Sequence, residues 1–149
     1  MDDLPPTTPS GADAAGPALV GNGVRQVPVA LLPELADAAW HAGFVISHVA
    51  LAGITDKTGV LQAFASGLAF PPGMGGNWDA LADALGDLSW LEGQAHGILI
   101  DGVAQLRQHA PDVLATLLDI IDEAAQQWTA YGQPFQVFVA EQAMPMDAG

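Results

Sequence analysis

Asp79, Asp83 and Asp87 recur at four-residue intervals within Asn77-Trp78-Asp79-Ala80-Leu81-Ala82-Asp83-Ala84-Leu85-Gly86-Asp87-Leu88. At about 100° per residue, a helix beginning here gathers Trp78, Leu81, Leu85 and Leu88 on one side and the three aspartates on the other. Asn77 is its N-cap, since that side chain can accept from the orphan amides of a first turn. A carboxylate at Asp79 is stabilised by the helix dipole by about 0.3–1 kcal/mol, which explains an acid there without any partner. Asp83 and Asp87 have no such excuse, because like charges four apart on a helix cost about 0.2–0.5 kcal/mol. No Lys or Arg occurs between Ala63 and Arg107 to offset them. A solvated helix face usually mixes both signs, so a column of one sign reads as charge presented to something outside the chain.

Other chemistry fits these residues less well. General acid/base work by two carboxylates needs their environments to differ, and Asp79 and Asp83 share one. Calcium loops wrap their acids around the ion at alternate positions, a pattern missing here and one that a rigid helix cannot imitate. Gly73-Met74-Gly75-Gly76 ahead of a helix resembles a phosphate cradle but lacks the Lys and Ser/Thr that would complete it. His41, His48, His96 and His109 are isolated, with no pair at helical ligand spacing, and read as structural or surface groups. There are no cysteines, hence neither disulfides nor thiolate metal sites. Catalytic residues, metal and cofactor are all expected to be absent.

The elements that must position the aspartates can be read from the chain. Its 149 residues suit one core-forming domain with some tail, and 50% are hydrophobic. Residues 1–17, with Pro5, Pro6, Pro9 and Pro17, are too poor in large apolar residues to join a core. Residues 18–43 form an N-terminal extension, in which a turn around Gly21-Asn22-Gly23 joins two brief extended pieces ahead of a helix over Leu31 to His41. Leu35, Ala38, Ala39 and Trp40 are that helix's buried candidates. A strand follows at Phe44-Val45-Ile46-Ser47-His48-Val49. The next helix, started by Thr55 or Asp56, carries Val60, Leu61, Phe64 and Leu68 at helical spacing.

Beyond the aspartate helix, Gly97-Ile98-Leu99-Ile100 is an unbroken apolar run, as in a strand covered on both faces. A short helix near Val103 to Arg107 leads to a long one entered through Pro111 and Asp112. Its inner stripe is Leu114, Leu117, Leu118, Ile121, Ala125 and Trp128, with Asp119, Asp122, Glu123 and Gln126 outward. Phe135 to Val139 is the last strand, and residues 142–149 form a loose tail. Strands separated by helices imply a small parallel sheet of three strands with helices packed against it, an α/β fold.

Charge limits the partners. Three bases face seventeen acids, for a formal net charge of −14 and a pI near 4.1. That field repels nucleic-acid phosphates and anionic membranes, and it attracts basic proteins. No apolar run approaches the roughly 18 residues of a membrane span, and Met-Asp-Asp-Leu-Pro-Pro does not open a signal peptide. A cytoplasmic protein, monomeric when free, is expected.

Leu68-Ala69-Phe70-Pro71, then Gly75, then Asn77-x-Asp79-Ala80-Leu81-x-Asp83-x-Leu85 resembles the barstar family, protein inhibitors of barnase-type ribonucleases. Weaker agreement runs through residues 44–141. The resemblance implies a three-stranded parallel sheet packed with helices. It implies that the aspartate helix and the loop before it (Gly73, Met74, Gly75, Gly76, Asn77) plug a ribonuclease active site. Asp79 and Asp83 would then stand in for substrate phosphate, Asp83 dominant, with Glu123 from the long helix and neighbouring Ala82 and Asp87 on the same surface. Gly73 and Met74 replace two family aromatics, and Ala82 and Ala84 replace a Trp and a Cys. Aromatic anchors often dominate interfaces. The leading expectation is an intracellular inhibitor or antitoxin against a basic ribonuclease or other cationic toxin. The alternatives are an acidic interaction module with a non-nuclease partner and, more remotely, a carboxylate enzyme or metal protein.

Overall fold

The computed structural model describes residues 23–72, 76–91, 93 and 95–143. The expected tail over residues 1–17, the turn residues Gly21 and Asn22, the loop residues Gly73, Met74 and Gly75, and residues 144–149 lie outside these. Along the described chain run β1 (Gly23–Gln26), α1 (Leu32–His41, entered through a 3-10 turn at Val29–Leu31) and β2 (Val45–Ala50). Then come α2 (Lys57–Gly67), α3 (Trp78–Leu85), β3 (His96–Asp101), α4 (Ala104–His109), α5 (Pro111–Ala130) and β4 (Phe135–Val139). All pairings are parallel, in the order β1-β4-β3-β2.

The α/β class and the parallel sheet agree with the alternation of elements in the sequence, but the sheet has four strands rather than three. The additional strand is β1. It carries a single large apolar residue, Val24, so no hydrophobic alternation marks it. It forms because β4 would otherwise be an edge with unpaired backbone groups. The ladder extends past the strand itself, with the Val27 N–H donating to the Val139 carbonyl at 2.9 Å.

Both faces of the sheet are covered. On one, Phe64 of α2, Leu81 and Leu85 of α3 and Leu117 and Ile121 of α5 pack on Ile98, Ile100, Phe135, Val137 and Val139. On the other, Leu32 and Leu35 of α1 cover Leu99, Phe138 and Ala140. Every residue of β3 and β4 is therefore buried, which is why Ile98-Leu99-Ile100 and Val137-Phe138-Val139 read as apolar runs, with His96, Asp101 and Gln136 as buried polar exceptions. Residues assigned to an extension thus supply one strand and one cover layer of the same sheet.

Trp40 corrects the expectation of a buried residue: it is 67% exposed. Leu32, Leu35 and Ala39 set the inner stripe of α1, and Trp40 falls roughly 90° away from it at 100° per residue. Ala38 and, on α5, Leu118 sit half-buried at the borders of their stripes. Among the described residues no helix is long and apolar enough to cross a membrane.

Two features of this core have measurable consequences. Gly67 ends α2 where that helix presses on β2, and a Cβ there would collide with the His48 carbonyl oxygen. Gly67→Ala should therefore lower stability by about 1–3 kcal/mol, as overpacking against backbone does. Gly76→Ala, where a Cβ meets open space, should leave the urea midpoint unchanged. The second feature is His96, buried at the start of β3 with its ring 5.4 Å from that of Trp128. Its Nδ1 has no hydrogen-bond partner among the described residues. Burial lowers its pKa from the ordinary 6.5, so the unfolded chain takes up this proton first on acidification. The stability from keeping His96 neutral is complete above pH 6.5 and declines as pH falls below it toward the folded value. Urea midpoints measured downward from pH 7.5 should fall more steeply for the natural chain than for His96→Phe.

Candidate functional site

Helix α3 has only eight residues, too few to persist alone, and three tethers hold it. At its start the Asn77 side chain accepts from the Ala80 N–H at 2.8 Å, the cap its residue type called for. At its end the Trp128 indole N–H of α5 donates to the Leu85 carbonyl at 2.9 Å. Between them Leu81, Ala84 and Leu85 are buried against the core. The flanking loops are joined behind the helix: the Trp90 indole N–H donates to the Leu68 carbonyl at 2.9 Å, and Phe70 meets the Trp90 ring edge-on at 5.6 Å.

The opposite side of α3 is open. Asp79 and Asp83 are exposed, about 6 Å apart along the helix axis. Neither carboxylate makes a hydrogen bond or ion pair among the described residues. Gly76 and Asn77 are exposed beside them, and Ala82 is half-buried between them. Glu123 is exposed on α5 one turn before Gln127. The Gln127 Oε1 would be 2.6 Å from a Cβ on Gly86, so Glu123 belongs to the side of α5 that meets α3. Gly73, Met74 and Gly75 lie outside the described residues.

Asp87 does not extend the column. The helix stops at Leu85, Gly86 caps it, and Leu88 takes a left-handed φ of 50° that turns its side chain back into the core. Asp87 is left in the turn, accepting from the Ser89 hydroxyl at 3.1 Å. Gly86 was the readable stop signal.

The cations are elsewhere or differently engaged. Lys57, at the start of α2, sits 5.8 Å from the centre of the Trp78 ring, a cation–π contact beside the acidic face. Distance in sequence hid it. Arg107 is clamped by the Glu141 carboxylate with its Nη2 at 2.6 Å, and that hydrogen bond raises its pKa further. No group of three or more His, Asp or Glu able to hold a metal ion occurs among the described residues. His48 Nε2 faces buried Asp101 at 3.3 Å, at the sheet's C-terminal end. Two carboxylates on a fixed scaffold with no partner among the described residues can accept from external N–H donors, for which Arg forks are the best match.

Comparison with known proteins bears on this arrangement. No curated protein sequence matches the chain. A solved structure of the Aeropyrum pernix ORC2 protein, in ADPNP–ADP complexes, shares the fold with a TM-score of 0.55 at 14% identity. The likeness covers 89% of this chain but only 37% of that one, and at such identity it speaks to the fold alone. The family model for barstar, the barnase inhibitor, matches residues 44–140, the span from the first residue of the β2 region through β4 and including all of α3. The chain belongs to the barstar family.

Proposed function

We propose that this protein is a stoichiometric inhibitor of a basic, barnase-like ribonuclease or another cationic toxin, held inside the cell that makes it and monomeric when free. Asp79 and Asp83 enter the cationic cleft in place of substrate phosphate, with Asp83 contributing most. Glu123 reaches the target from the flank of α5, and the loop from Gly73 to Asn77, with Ala82, supplies the surrounding surface. Asp87, in the turn after the helix, borders that contact surface. The observation that carries this reading is the pair of exposed carboxylates on α3, neither of which makes an ion pair among the described residues. The chain's charge of −14 supports it, since such a field speeds encounter with a basic protein.

The second reading, an acidic interaction module with a non-nuclease partner, is favoured by one feature: Gly73, Met74 and Ala82 stand where family members carry aromatics. Affinity capture from lysate and culture supernatant, using the natural chain beside an Asp79→Ala/Asp83→Ala variant, separates the two. The first reading requires a basic nuclease among proteins that only the natural chain retains.

With that partner, Asp83→Ala should weaken binding by about 2–5 kcal/mol, a scale for desolvated charge pairs calibrated partly on a ribonuclease and an inhibitor of this family. The loss should exceed that for Asp79→Ala. Folding should hold or improve slightly, because the substitution removes a like-charge repulsion of about 0.2–0.5 kcal/mol. Association of the natural pair should slow steeply as salt rises. Stopped-flow and calorimetric curves for Asp83→Ala that overlay those of the natural chain would sink the mechanism.

A further inference from the structure

At the start of β2, on the side of the sheet that α1 covers, an open groove of about 560 Å³ is lined by Trp40, Gly43, Phe44, Val45, Ile46 and Gly93. None of these side chains is charged, and Trp40 leaves 67% of its surface in water beside the groove. The acidic face of α3 is on the other side of the sheet, so this surface is separate from the proposed inhibitory one. An open indole beside a groove offers a flat apolar face on which a rigid extended segment can stack.

We propose that the chain's own N-terminal segment Pro5-Pro6-Thr7-Thr8-Pro9 docks in this groove, stacking proline rings on Trp40. Three observations select this occupant. First, Pro-rich segments with a Pro-x-x-Pro spacing adopt extended polyproline geometry and bind uncharged grooves lined by aromatics. Pro6-Thr7-Thr8-Pro9 has that spacing, and no charged residue occurs from Leu4 through Ala12. Second, the geometry allows it. Gly23, where the described chain begins, is in register with Gln136, Gln136 with Gly97, and Gly97 with Ile46. Three strand spacings amount to about 14 Å. The parallel sheet also puts the starts of β1 and β2 at the same end. The chain from Pro9 to Gly23 can reach up to about 46 Å when extended. Third, the competing occupant, a second copy, would bring together two bodies of charge −14, which repel at low salt.

The absence of cysteine makes a clean test available in the full chain. Thr8→Cys carrying a nitroxide label should quench the Trp40 indole signal and the Gly43 to Ile46 amides selectively in a nitrogen-15 correlation spectrum. The amides at the start of α5, on the other face and at the opposite end of the sheet, should keep their intensity. Adding Trp40→Ala, which removes an exposed side chain and leaves the fold intact, should abolish the selectivity, as should Pro6→Ala/Pro9→Ala. Quenching spread evenly over the protein, or none, overturns the proposal. So does selective quenching that persists when the nitroxide-carrying chain is at natural abundance and the observed nitrogen-15 chain carries no nitroxide, since that places a second copy in the groove.

Discussion

The indole N–H of Trp128 donating into the last turn of α3 is the contact on which the acidic surface depends. A helix of eight residues has little intrinsic stability, and this one also carries two like charges a turn apart. What keeps it in place is outside it: the Trp128 bond, the burial of Leu81, Ala84 and Leu85, and the Trp90–Leu68 tie between the loops on either side. Trp128 is in turn fixed by stacking on Phe135 of β4 at 6.0 Å. The carboxylates are thereby referenced to the central sheet through a short series of rigid contacts. A buried hydrogen bond contributes only about 0.5–1.5 kcal/mol to stability. Its larger effect here is geometric, since it fixes the distance and rotation of α3 against α5 and so the directions in which Asp79 and Asp83 project.

That rigidity sits beside an unresolved electrostatic conflict. A protein optimised only for stability would pair its exposed acids, and this one has the means in part. Arg107 is spent on Glu141, joining α4 to the chain beyond β4, and Lys57 lies over Trp78 instead of against a carboxylate. The uncompensated face of α3 is thus a local cost that the rest of the core offsets, the pattern expected where charge serves binding more than folding. Asp87 shows the limit of the feature. Once the helix ends, the next acid stands in the following turn and accepts from the Ser89 hydroxyl.

The contrast between legible and illegible parts has a physical basis. Helix caps were readable because Asp56 and Asn77 act through local geometry, each accepting from an amide three residues on. The bounds of β4 and the inner stripe of α5 were readable because burial on both faces, or on one helical face, leaves a strong period. An extended piece after Gly23 was legible, but its place in the sheet as β1 was not, because that depends on the free edge of β4, a fact about the fold and not about the four residues themselves. Trp40 was misjudged because an aromatic next to a stripe looks like part of it until Leu32 fixes the stripe's centre. The roles of Trp90 and Trp128 as donors needed spatial neighbours 22 and 43 residues away. Lys57 beside Trp78 was hidden for the same reason. For the site, residue types and spacing on α3 were legible, whereas the stop at Gly86 outweighed the wheel that carried the column on to Asp87.

The boundary at residue 44 illustrates how a family match and a folded unit can differ. The matched segment supplies β2, β3 and β4, but in that segment alone β4 would expose an edge and the Leu99–Phe138 face would be bare. β1 pairs that edge, and Leu32 and Leu35 cover that face. The added elements are therefore constrained by the sheet they complete. They are not equally constrained by what lies beyond it: α1 packs on β2 and β3, while at its C-terminal end Trp40 stands exposed beside the start of β2. The β2 residues on that side are covered less completely than those of the central strands, Ile46 being half-buried and His48 exposed, and the Trp40 groove opens at this thinner margin of the layer.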